Sequence, residues 1–247
     1  MSAAEDNQWK FFHFGLIVTG KGEEQFLPNF FRSLVKTGRY HFEVIYRAGQ
    51  RSPITSKKRS LKMVGDGKKI PDRDEKEIGL PARRYLTKDA AFVILVDDLE
   101  ADRAPQATEV YHRYREALDT FLSESQRCRA SVHFFVNMLE AYYFADAKAV
   151  NAVLGTNLED YQDDVETIRH PKNDLKKHHP GFDEVEHGEA IVAGLDLPHV
   201  LARPETCAAL RTLFGWCSKA TGQTPTDQFE LADGSYSELT KQQIDAL

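Results

Sequence analysis

An unbroken apolar run from Ala90 to Val96 meets Asp97 and Asp98 without any intervening residue, and Glu100 follows two positions later. Seven residues without a polar group do not suit a strand with one wet face. They suit a strand buried on both faces, as in a parallel sheet covered by helices. Carboxylates just past the carboxyl end of such a strand stand where open α/β sheets bind ligands. Adjacent carboxylates repel each other, and a proton, an Arg or Lys, or a divalent cation relieves them. The plainer alternative is that Asp97 and Asp98 only open a loop.

The same punctuation recurs along the chain. Phe11 to Val18 is apolar except for His13 and reads as a first buried strand, ending in Thr19-Gly20-Lys21-Gly22 and then Glu23-Glu24. Phe26, Phe30 and Leu34 recur every four residues, which predicts a helix over about Glu23 to Thr37 with Pro28 near its first turn. His41 to Tyr46 and Ala130 to Val136 read as further strands. Asp74 to Thr87 reads as a helix that Pro81 kinks or divides. Gln106 to Leu122 reads as an amphipathic helix on Val110, Tyr114, Leu118 and Leu122. A helical pattern from Met138 is ended by Gly155 and puts Glu140 just past a strand end, level with Asp97 if the strands are parallel.

Strands alternating with helices at this spacing predict an α/β fold, with a mostly parallel sheet covered by helices on both faces. A smaller, mainly helical C-terminal region follows. The expected division is a core over residues 10–155, an extension packed on it over 156–221, and a polar, loosely held tail over 222–247. His170, His178, His179 and His187 are scattered through a polar stretch without the helical spacing that zinc sites favour.

At 247 residues with 41% hydrophobic and 28% charged content, the chain can bury a substantial core. No run approaches the roughly 18 apolar residues of a membrane span, and the first residues lack the pattern of a signal peptide. Cys128, Cys207 and Cys217 are unpatterned, which fits a reduced cytoplasm. Net charge is −6, yet Arg47, Arg51, Lys57, Lys58, Arg59, Lys62, Lys68 and Lys69 face only Asp66 within one segment. That segment reads as a long loop, either a phosphate-contacting surface or a solvated face without a partner.

Three stretches, FGLIVTGKGEEQFL (Phe14 to Leu27), FVILVDDLEADR (Phe92 to Arg103) and VNMLEAYYFAD (Val136 to Asp146), together resemble one family, supported by HPKNDLKK (His170 to Lys177). The set is similar to the Toprim-like proteins of unknown function related to the nuclease domain of OLD-family proteins. These are often encoded beside an SMC- or ABC-like ATPase in bacterial loci associated with phage defence. The resemblance implies a Toprim/Rossmann-like core and a metal-dependent nuclease acting on nucleic acid with an ATPase partner. Its cofactor would be Mg²⁺ or Mn²⁺.

The family's pattern starts with a glutamate-glycine pair, where this chain has Thr19-Gly20, with Glu23 as the later acid. Its Asp-x-Asp is Asp97-Asp98-Leu99 here, so the second acid is missing. Glu140 and Asp146 match the acids of the later helix, and Lys172 matches a lysine that could contact phosphate. By this resemblance Glu23, Asp97 and Glu140 are the candidate catalytic groups, with Asp98 and Glu100 added as candidate metal ligands. Lys57, Lys58, Arg59, Lys62, Lys68, Lys69 and Lys172 are the candidate nucleic-acid contacts. Because Thr19 can be neither a general acid–base nor a strong Mg²⁺ ligand, a second reading stands beside the first: a scaffold that binds an ATPase or nucleic acid without cleaving it. Nucleotide binding in a Rossmann-like crevice is weaker, since TGKGEE lacks the final Lys-Ser/Thr of a P-loop.

Overall fold

The computed structural model describes residues 11–51, 63–64, 68–69, 72–222, 231 and 234–247. The apolar runs become strands β1 (Phe12–Val18) and β2 (Tyr40–Arg47), then, past a short antiparallel pair β3 (Met63–Val64) and β4 (Lys68–Lys69), β5 (Ala91–Leu99) and β6 (Ala130–Val136). The four long strands form one sheet in the order β2-β1-β5-β6, and every neighbouring pair is parallel. From β1 the chain steps outward to β2 and then returns to the other side of β1 for β5. The strand order therefore reverses between β1 and β5, and the crevice at their carboxyl ends is where open α/β sheets hold ligands.

Helices cover both faces. In chain order they are α1 (Lys21–Phe30), α2 (Arg32–Val35), α3 (Leu80–Tyr85), α4 (Ala107–Asp119), α5 (Glu124–Arg127), α6 (Ala147–Leu154), α7 (Pro171–His178), α8 (Glu184–Gly194), α9 (Leu197–Ala202), α10 (Ala208–Ala220) and α11 (Gln242–Asp245). The strand period of two sorts β5 between two core layers. Phe92, Ile94 and Val96 pack with α1, α8 and α10, whereas Ala91, Val93, Leu95 and Leu99 pack with α3 and α4. Continued past Val96, that alternation sends Asp97 to the α4 side and Asp98 to the α1 side. Leu99 returns to the α4 core, where it is buried.

Several elements differ in detail from expectation. The first helix begins at Lys21 and breaks at Phe31, so Pro28 sits in its last turn rather than its first. Phe31 N–H then donates to Pro28 O at 3.2 Å, closing the end more tightly. Pro81 does not divide its segment: a π-helical turn, Glu75–Gly79, runs without a break into α3, whose first turn holds Pro81. Beyond β6 a 3₁₀ stretch, Leu139–Ala145, precedes α6, which Gly155 ends with φ +66°.

The C-terminal region shares the core. Trp216 of α10 meets Phe14 and Phe92 edge-on, with ring centroids 6.3 and 6.0 Å away. Residues 234–247, expected to be loosely held, instead close the β6 edge. Gln243 Oε1 accepts from Val132 N–H at 2.8 Å, and its Nε2 donates to Val132 O at 2.7 Å. Arg115 donates to Ala130 O, and Val136 N–H donates to the Tyr142 hydroxyl. Side chains thus occupy backbone groups that would otherwise recruit another strand.

Candidate functional site

At the switch point a cavity of about 340 Å³ opens where the ends of β1, β2, β5 and β6 meet α1, α7 and α8. The turn after β1 carries the chain through Gly20 into α1 and delivers Glu23, which is buried. A Cβ at residue 20 would collide with the Glu23 carboxylate, so the glycine is what lets that side chain fold back over the turn. The end of β5 delivers Asp98 and, at the exposed rim, Glu100. After β6, Asn137 and Met138 adopt left-handed backbone (φ +57° and +76°), a conformation costly for side chains other than glycine. The 3₁₀ turn that follows brings in Glu140, also buried. The first turn of α7 contributes Lys172, and the first residue of α8 contributes Glu184.

The charges around this cavity do not balance. Lys172 Nζ lies 3.5 Å from Glu140 Oε1 and also pairs with Glu184. Glu23 and Asp98 sit together, and Asp98 Oδ1 is sealed from solvent with no hydrogen-bond partner among the described residues. Burial, then contact with Glu23, then the charges of Glu140 and Asp97, push the Asp98 carboxyl well above the usual range. Burial likewise raises Glu140, against the opposing pull of Lys172. Burial by itself would lower Lys172, but Glu140 and Glu184 hold it above its ordinary value. Tyr143, on the cavity wall, is raised first by burial and then by Glu140, Asp98 and Glu23.

Asp97, expected to lead the ligand set, behaves differently. Its side chain is fully buried on the opposite face. It accepts from Thr19 Oγ1 at 2.6 Å, from the Tyr114 hydroxyl at 2.9 Å, and from Arg103 Nη2 and Nη1 at 2.6 and 3.3 Å. Its charge is compensated and its oxygens are occupied by protein donors, which sets Asp97 apart from the other acids expected at the site. Thr19 belongs to the same arrangement. A glutamate in its place would aim a second carboxylate at Asp97, whereas the threonine hydroxyl supplies a donor.

The remaining predicted residues divide. Glu23, Asp98, Glu100, Glu140 and Lys172 all line the cavity. Asp146 instead accepts from Asp196 N–H at 2.8 Å and serves packing at α6. Lys57, Lys58, Arg59 and Lys62 lie outside the described residues, and Lys68 and Lys69 are described only as strand β4. The residue that precedes that basic segment is anchored near the cavity. Arg51 is buried, ion-paired with Asp74 at 2.7 Å, and its carbonyl accepts from Arg103 at 2.8 Å. Gln50, beside it, lines the cavity.

Sequence reasoning missed Glu184, Tyr143, Arg103 and Tyr114. For Glu184 a signal existed, because Asp183 caps α8 through Val185 and Glu186 N–H, and acids after such a cap mark a helix start. Arg103 and Tyr114 could have been found only from the alternation that turns Asp97 away from Asp98.

Fold and site together define an open parallel α/β protein with an acidic cavity at its switch point. A family model described as a domain of unknown function (DUF4276) matches residues 18–213, and the chain belongs to that family. No curated protein and no solved structure matches it. No helix among the described residues is long and apolar enough to cross a membrane. Among the same residues, no three His, Cys, Asp or Glu side chains are already grouped to hold a metal ion.

Proposed function

We propose that this cavity is the site of a divalent-cation-dependent phosphodiesterase acting on nucleic acid, a Toprim-like nuclease subunit working with an SMC- or ABC-like ATPase in phage defence. The observation that supports it most is the Glu23–Asp98 pair, two carboxylates pressed together with Asp98 Oδ1 buried and without a hydrogen-bond partner among the described residues. Lys172, the lysine that borders them, is engaged by Glu140 and Glu184. The donors are hard oxygens, which suits Mg²⁺ or Mn²⁺. Mg²⁺ is commonly held by one or two carboxylates, with water and substrate phosphate completing its shell, so a preformed cage of three is not required. Glu23 and Asp98 would hold the cation, with Glu140 and Glu100 bordering it. A cation bound there would activate water and neutralise charge on the leaving oxygen.

The chain's own residues complete the reading. Lys172 stands where it can exchange Glu140 or Glu184 for a phosphate oxygen. Arg51 is tied to Arg103, and the lysines and arginine that follow it in the sequence would supply sequence-independent backbone contacts. The ATPase partner and the defence role rest on the family resemblance alone.

A second reading has its own support. Asp97, matching the one acid the chain shares with the family's Asp-x-Asp, is locked by Arg103, Tyr114 and Thr19. On that ground the chain is a catalytically degenerate scaffold that docks an ATPase or nucleic acid. Incubation with supercoiled plasmid and with RNA, in Mn²⁺ or Mg²⁺ and with the partner present, separates the two. Cleavage by the wild type that is lost in Asp98→Asn is the expected result. No cleavage, with nucleic-acid binding retained, supports the scaffold.

A further inference from the structure

We infer that Asp97, Tyr114 and Arg103 form a positioning device that holds Asp98 toward the cation site, rather than ligands of that site. The inference rests on the cation reading above. Arg103 is the central part. Its Nη2 donates to Asp97 Oδ2 at 2.6 Å and to Arg51 O at 2.8 Å, while Nη1 donates to Asp98 O at 2.6 Å. The peptide carbonyl of Asp98 is thereby clamped from the α4 side, and its carboxylate is left to project from the α1 side. Asp97 fixes the guanidinium in turn, and the Tyr114 hydroxyl bridges Asp97 Oδ2 and Arg51 N–H at 2.9 and 3.2 Å. Three strand ends or their flanks, carrying Thr19, Arg51 and Asp97, are tied at one level. On the β1 side strand pairing stops short of this level, at Val18↔Val96, while on the other side β6 pairs with β5 through Asp98↔Phe135 and Leu99↔Val136. The lock therefore ties the β1 and β2 ends to a β5 end that β6 already holds. What the lock controls is the orientation of the residue whose oxygen is orphaned.

Partners that orient a metal-binding group typically cost about 10–100-fold in affinity when removed. The test is Mn²⁺ affinity, measured by electron paramagnetic resonance on the folded protein, with melting temperature recorded alongside. Arg103→Lys keeps the charge but cannot bridge Asp97, Asp98 O and Arg51 O together, and about a tenfold weakening is expected. Tyr114→Phe removes one hydroxyl and is the milder variant, retained in case Arg103→Lys fails to fold. Its loss is expected to be several-fold, and Asp97→Asn combined with it should weaken binding by less than the product of the single effects. Unchanged Mn²⁺ affinity in folded Arg103→Lys and Tyr114→Phe, with only the melting temperature lowered, would overturn the inference alone. So would abolished binding in Asp97→Asn with full affinity in Arg103→Lys, the pattern of a direct ligand. A wild type that binds no Mn²⁺ would overturn the proposed function and this inference with it.

Discussion

Asp97 and Asp98 are neighbours on one strand, yet they live in opposite electrostatic worlds. On the α4 face, Asp97 is fully buried and has a cation, two hydroxyls and short contacts around both oxygens. On the α1 face, Asp98 meets Glu23 with no donor on Oδ1. The imbalance extends along β6, where Ser131 Oγ and both ring nitrogens of His133 are buried without a hydrogen-bond partner among the described residues, His133 edge-on to Trp216. A fully satisfied buried network rigidifies, whereas a buried polar group left without a partner costs its desolvation with no return. The comparison teaches that one face neutralises and braces its carboxylate while the other leaves two carboxylates facing each other at a cavity.

The largest effect should come from breaking the satisfied face. Asp97→Ala strands the Arg103 guanidinium, the Thr19 hydroxyl and the Tyr114 hydroxyl together, and a loss of about 3–5 kcal/mol is expected from chemical denaturation. If stability changed by less than about 1 kcal/mol, within the range of an exposed ion pair, Asp97 would not be the anchor described.

A smaller loss, about 1.5–3 kcal/mol, is expected for Thr19→Val, which removes one hydrogen bond to a buried charge. Thr19→Glu should be worse still, since it aims a second carboxylate at Asp97. A stable Thr19→Glu variant would show that the two carboxylates do not face each other.

His133 tests the unsatisfied face through pH. Burial lowers its pKa from 6.5 to about 3. The unfolded chain therefore takes up the proton first, so the neutral ring's contribution is complete above pH 6.5 and is lost as pH falls toward 3. Within that window the slope approaches about 1.4 kcal/mol per pH unit. His133→Leu should flatten that part of the profile, and an unchanged slope would mean that the ring protonates without cost.

The two faces were not equally legible beforehand. The four strands could be read directly because β-branched and aromatic runs buried on both faces leave few other options, as in Phe92 to Val96. The rim was harder. Asp97 and Asp98 read as one acidic cluster when side chains are counted along the chain, but the strand period of two separates them. Glu23 and Glu140 were found because each follows a strand end closely in sequence. Glu184 comes from a distant helix in a stretch whose polarity hid both α7 and α8. The tail was misread for a similar reason: Gln243 is polar, yet it is buried because it pairs with a strand edge.

Thermal melting of the wild type and Asp98→Asn, with and without Mg²⁺, addresses the central claim most directly. Because burial beside Glu23 raises the Asp98 carboxyl, its ionisation works against the fold as pH rises. Without metal at neutral pH, Asp98→Asn should therefore melt higher than the wild type. Added Mg²⁺ should raise the wild-type melting temperature with concentration and leave Asp98→Asn unmoved. A wild type indifferent to millimolar Mg²⁺, or equal rises in both proteins, would contradict a cation site built on Asp98.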